Sequence, residues 1–112
     1  MSVATRRSSA AQAADGRHHA ELGRVRRRID SLDEKLLKLV NDRAALALAI
    51  GRIKDKQKWP IFDAKRELFV LKHVMEKNGG PLSTHAVRHI FQAILCECRR
   101  RQRARRQLSR SA

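Results

Sequence analysis

The sequence has no tyrosine, one tryptophan and three phenylalanines. Aromatic rings cannot fill its interior, so aliphatic side chains must do the packing. No apolar run approaches the roughly 18 residues of a membrane-spanning helix. Residues 1–20 lack the apolar stretch of a secretory signal and read as a disordered basic leader. Only two cysteines occur, Cys96 and Cys98. On a helix they sit about 200° apart around the axis, so they cannot form a disulfide there, and they are too sparse for zinc. Nothing asks for an oxidising compartment, and the cytoplasm is the default location. His18 and His19 are adjacent with no third ligand at metal spacing. Strand patterns, internal repeats and glycine-rich phosphate loops are all absent.

Acidic residues are scarce as well. Eleven Asp and Glu face 26 Lys and Arg, a formal charge of +15 over 112 residues. Such an excess points first to a polyanion. Its distribution complicates that answer. The last 14 residues carry seven arginines and no acid, nearly half of the excess. A solvated helix end, a polyanion-binding tail and a docking arm for a partner enzyme all fit this Arg-rich segment, taken as residues 104–112.

The apolar residues that are present define helices. Leu22, Val25, Ile29, Leu32, Leu36, Val40, Ala47 and Ile50 step by threes and fours. No proline interrupts residues 22–58, which predicts one helix over about 21–57. Gly51 costs about 1 kcal/mol there relative to alanine, which suggests close packing. Trp59-Pro60 ends the pattern. Asp63 is placed to cap a second helix over about 64–77, and Asn78-Gly79-Gly80-Pro81 stops it. Ser83 caps a third helix carrying Val87, Ile90, Phe91, Ile94 and Leu95, predicted to run to about 103. The fold class is all-α, with a very long first helix.

That first helix sets a geometric demand. About 37 residues at 1.5 Å each make roughly 55 Å, against a radius of gyration near 13 Å for a compact chain of this size. The two shorter helices cannot cover it. Its stripe needs a partner, and a symmetric homodimer is the commonest solution.

Several polar residues fall on apolar faces. The stripe continues from Val40 through Arg43, Ala47 and Ile50 to Lys54. Arg43 and Lys54, three turns apart, project the same way with about 16 Å between them. Arg26 borders the same stripe. Two readings fit these cations: long stems that snorkel to water, or side chains that meet a bound anion, since a buried cation needs a counter-charge. Asp63, Arg66 and Glu67 share one face of the second helix. Asp63 is either a cap alone or a site residue, and Glu67 either pairs with Arg66 or belongs to the site. On the third helix the apolar face continues into Cys98 and Gln102, where Gln102 is either a frayed end or an amide placed for a ligand.

Three segments carry a family resemblance: RRRIDSLDEKLLKLVNDRAALALAIGRIK, PIFDAKRE and GGPLSTHAVRHIFQAIL. In this order and spacing they resemble the all-helical AroQ class of chorismate mutases, over about 80 of the 112 residues. The resemblance implies an intertwined homodimer of three-helix chains covering residues 21–103. It also implies conversion of chorismate to prephenate, on the route to phenylalanine and tyrosine, with no metal or cofactor. It carries roles to positions of this sequence. Arg26 matches the arginine that reaches into the partner's site, and Arg43 the carboxylate-binding arginine of the same chain. Lys54 and Gln102 match the pair that contacts the ether oxygen, and Glu67 the glutamate that holds the ring hydroxyl. Asp63 and Arg66 match further pocket positions. Cys98 stands where well-known members have a serine that helps bind a carboxylate, and a thiol is a weaker donor.

A catalytically weak regulatory chain that needs a partner enzyme for full activity, docked through the Arg-rich tail, is one rival at this level, and two others remain. Isochorismate–pyruvate lyases share the fold and similar cationic pockets, although Asp63 and Glu67 together favour the mutase. A basic helical nucleic-acid-binding protein explains the Arg-rich tail but not Arg43 and Lys54 inside an apolar stripe.

Overall fold

A computed structural model describes residues 2–111, with side chains described from residue 10 onward. Three α-helices follow in order: α1 (Ser2–Lys56), α2 (Ala64–Lys77) and α3 (Thr84–Ser111). No strand occurs among the described residues, and no helix there is long and apolar enough to cross a membrane. The chain divides into two compact units, residues 1–39 and residues 40–112.

Two helix boundaries differ from expectation. α1 begins at Ser2 rather than near residue 21, so residues 2–20, read as part of a disordered leader, are helical. Its alanines, arginines and glutamine are good helix formers and no proline opposes them, so propensity extends a helix that apolar periodicity could not reveal. α3 continues to Ser111 rather than ending near 103. Its arginines are also good helix formers, and several of them find partners. Arg100 pairs with Glu97 at 3.0 Å. Arg106 Nε lies 3.2 Å from Asp55 Oδ1 and its Nη1 donates to the Trp59 carbonyl at 3.0 Å. Arg110 reaches Asp55 at 3.5 Å.

The end of α1 is a Schellman turn. Trp59 N–H donates to the Lys54 carbonyl at 2.7 Å and Lys58 N–H to the Asp55 carbonyl at 3.1 Å. Lys58 takes the left-handed conformation at φ 58° that this closure requires. Pro60 then prevents the helix from resuming. The caps of α2 and α3 are as expected. Arg66 N–H donates to Asp63 Oδ1 at 3.0 Å, and Ala86 N–H to Ser83 Oγ at 3.1 Å. Between them Gly80 N–H donates to Asn78 Oδ1, with Gly80 at φ 76°.

In the 40–112 unit α2 packs on α3, and the buried residues are few: Gly51, Val70, Val87, Leu95, Cys98 and Gln102. No large side chain among the described residues is fully buried. Leu46, Ile50, Ile53, Phe62, Leu68 and Phe69 remain exposed in this unit, as do Leu22, Val25, Ile29, Leu32 and Leu36 of the 1–39 unit.

Candidate active site

Residues of α1, α2 and α3, with Ile61 and Asp63 from the turn between the first two, line a cleft of about 260 Å³. Ala47, Ile50, Ile61, Val70 and Leu95 give it apolar walls. Four cations (Arg43, Lys54, Arg66, Arg99) and two carboxylates (Asp63, Glu67) line it, with Cys98 and Gln102. The charged set carries a net +2. A larger cavity of about 420 Å³ lies on the far side of Gly51 and Gln102, among Arg52, Asp55, Arg101, Arg105 and Arg106. Of the residues singled out from the sequence as site residues it contains only Gln102, so size does not mark the site here.

Each polar side chain in the cleft is held by something identifiable. Lys54 leaves α1 in its last turn, and the Schellman turn folds the chain back so that Lys54 Nζ donates to the Ile61 carbonyl at 2.9 Å. An ammonium has three donors, so two remain for a ligand. Gln102 is only 9% exposed, which removes the frayed-end reading. Its Nε2 donates to the Ala47 carbonyl at 2.6 Å, and the amide's second N–H is left for a ligand. Gly51 leaves room for this side chain: a Cβ there would lie 3.2 Å from Gln102 Cγ, closer than ordinary contact.

Arg43 Nη1 is 3.5 Å from Cys98 Sγ, a soft contact that ties α1 to α3. Asp63 both caps α2 and lines the cleft. Arg66 lies over the Phe69 ring, its guanidinium carbon 5.1 Å from the ring centre. Glu67 does not pair with Arg66. Its Oε2 lies 2.7 Å from Arg99 Nε, because on α2 the adjacent residues 66 and 67 point about 100° apart and α3 faces only the second.

Seven of the eight residues marked in the sequence (Arg43, Lys54, Asp63, Arg66, Glu67, Cys98 and Gln102) therefore line one cleft. The eighth, Arg26, is an exposed residue of the 1–39 unit, and the cleft is built from residues 43–102. Arg99 was missed, since it reads as the first member of the arginine tail. The available signal was its phase: it stands four residues after Leu95 and three before Gln102, on the buried stripe of α3.

Fold and cleft together define an all-helical protein with a small, cation-rich pocket between three helices. The family described as chorismate mutase type II matches residues 25–103. The chain belongs to that family. It is 42% identical over 83 residues to a bifunctional chorismate mutase/prephenate dehydratase of Pseudomonas aeruginosa, covering 70% of this chain and 23% of the relative. A chorismate mutase of Methanocaldococcus jannaschii is 35% identical over 54 residues, 48% of this chain and 54% of that one. A solved chorismate mutase (form II) from Thermus thermophilus superposes with a TM-score of 0.73 at 25% identity, covering 74% of this chain and 94% of that one. The chain thus spans about a quarter of the length of the bifunctional relative.

Proposed function

We propose that the chain is a chorismate mutase, rearranging chorismate to prephenate. The observation that carries this reading is the convergence of Arg43, Lys54, Glu67 and Gln102, from three helices, on one small cleft. The reaction is an isomerisation: one ether C–O bond breaks, one C–C bond forms, and no atom is gained or lost. It needs no nucleophile and no proton transfer.

What it needs is restraint and charge. The substrate is a flexible dianion that reacts from a compact, chair-like conformer. Arg43 binds one carboxylate, with the Cys98 thiol beside it, and guanidinium groups suit this task by their paired donors. Glu67 accepts from the ring hydroxyl. Asp63 and Arg66 complete the polar wall. Fixing both ends of the molecule supplies the positioning share of the rate. Negative charge then grows on the ether oxygen as the C–O bond breaks. The free donors of Lys54 and Gln102 meet it more strongly in the transition state than in the ground state. Both groups are already held by backbone carbonyls, Ile61 for the lysine and Ala47 for the glutamine, so little reorganisation is required.

The reading includes a homodimer in which Arg26 of each chain enters the other's cleft and binds the second carboxylate. The exposed apolar residues along α1 support it, since so many on one helix need a cover. A cytoplasmic location accords with the two free thiols.

The test is loss of chorismate absorbance with the purified chain. Wild type is expected to form prephenate. Lys54→Ala is expected to lose about 10²-fold or more in kcat, the scale for removing a donor aimed at developing charge, with helicity by circular dichroism unchanged. Full activity in Lys54→Ala refutes the mechanism. Pyruvate release from isochorismate, with no prephenate from chorismate, assigns the cleft to a lyase instead.

A further inference from the structure

Arg99 is a cation of the cleft to which the roles above assign nothing. Its Nε lies 2.7 Å from Glu67 Oε2, and the two side chains are 26% and 19% exposed. Its guanidinium carbon lies 5.2 Å from the centre of the Phe62 ring. The Nε–H itself has no aligned acceptor, so the contact with Glu67 is an ion pair by distance and not a linear hydrogen bond. The guanidinium is thus held from two directions, by charge from α2 and by an aromatic face from the loop before it. A flat cation over a ring has a defined plane, which a lysine ammonium lacks.

Glu67 poses a problem that Arg99 addresses. A carboxylate in a cleft that receives a dianion repels it, and the repulsion grows as the site dries. Arg99 raises the charge of the lining from +1 to +2, before the Arg26 proposed to enter from the second copy is counted, and its own charge offsets that of Glu67. Arg99 sits against Oε2, which leaves Oε1 as the acceptor for a hydroxyl.

We propose that Arg99 is a positioning residue that neutralises Glu67 and, fixed against Phe62, aims one oxygen of that carboxylate at the ring hydroxyl of the substrate. The inference rests on the mutase reading and deepens it. Arg99 acts through Glu67, so its contribution vanishes when Glu67 cannot be a charged acceptor.

Four proteins test this beside wild type: Arg99→Gln, Arg99→Lys, Glu67→Gln and the double variant Arg99→Gln/Glu67→Gln. Initial rates on chorismate are measured across substrate concentrations, with thermal melts to establish that each protein is folded at the assay temperature. Arg99→Gln is expected to lower kcat/KM about tenfold, through a lower kcat and a higher KM together, a coupling of the size seen for directly contacting groups. Arg99→Lys is expected to return KM toward wild type, because it keeps the charge, but to leave kcat low, because it lacks the flat fork. In the Glu67→Gln background, Arg99→Gln is expected to cost less than about twofold. Equal losses in both backgrounds overturn the proposal, because a residue with a merely structural role acts additively. An undiminished kcat/KM in Arg99→Gln overturns it as well. A wild type that leaves chorismate unchanged overturns the mutase reading and this role with it, whereas an active wild type with additive variants overturns this role alone.

Discussion

At the scale of single residues the cleft depends on close approaches as much as on charges. Gln102 reaches the Ala47 carbonyl across residue 51, whose missing side chain leaves it room. In Gly51→Ala the new methyl carbon would lie 3.2 Å from Gln102 Cγ, and the glutamine must shift. Alanine gains about 1 kcal/mol of helix propensity over glycine, which offsets much of the squeeze. The two effects therefore separate: the melting temperature is expected to stay within a few degrees of wild type, while kcat falls about tenfold, as misplacement of a reacting group predicts. Initial rates and melts on the same preparation check this. An unchanged kcat would mean that Gln102 gives way without losing its aim. The same scale shows where sequence reasoning stopped. Arg43, Lys54 and Gln102 were legible because a polar residue on an apolar stripe is an anomaly. Arg99 was not, because inside a run of arginines a single functional one has no contrast with its neighbours.

At the scale of elements the turn between α1 and α2 does more than end a helix. It holds the Lys54 carbonyl in the Schellman closure and brings the Ile61 carbonyl back to the Lys54 ammonium. The residue at its left-handed position is Lys58, at φ 58°, where glycine is the usual occupant. A residue with a Cβ loses about 1–2 kcal/mol in that conformation. Glycine gives back about 0.5–1 kcal/mol through its freer unfolded chain. Lys58→Gly is therefore expected to stabilise the protein by about 0.5–1 kcal/mol, read as a higher urea midpoint at unchanged slope. A lower midpoint would show that the lysine side chain makes a contact that outweighs the strain. Pro60, Asp63 and Ser83 announced this turn and both caps in the sequence, since each acts within four residues of itself. The ends of α1 and α3 were not announced, because helix formers without apolar periodicity extend a helix silently.

At the scale of the whole molecule the chain has an interior too thin for its apolar content. Among the described residues Leu95, at 7% exposure, is the most deeply buried large apolar side chain, while Leu36, Leu39 and Leu46 are more than half exposed. A second copy is the cover proposed for such surface, and it would also bring Arg26 to a cleft. Mixing supplies the check. Arg26→Ala and Arg43→Ala homodimers are each expected to be nearly inactive. After subunit exchange at equal amounts, half of the dimers are hybrids, and each hybrid has one site with both arginines and one with neither. Activity is expected to recover to about a quarter of wild type, the statistical value for a two-fold assembly. No recovery after demonstrated exchange would argue that each site is built from a single chain.

The sequence by itself determined the three helices, their breaks and the cations set into an apolar stripe, because period, cap and breaker are local properties of neighbouring residues. The opening excess of positive charge turned out to be divided, part on a helical tail and part in a cleft. Only the tertiary structure decided which of these charges meet. The pairing of Arg99 with Glu67, the burial of Gln102 against Gly51 and the hold of Arg106 on Asp55 and Trp59 join residues far apart in the chain. Such contacts depend on how one helix is rotated against another, and that rotation is settled by packing over a whole face.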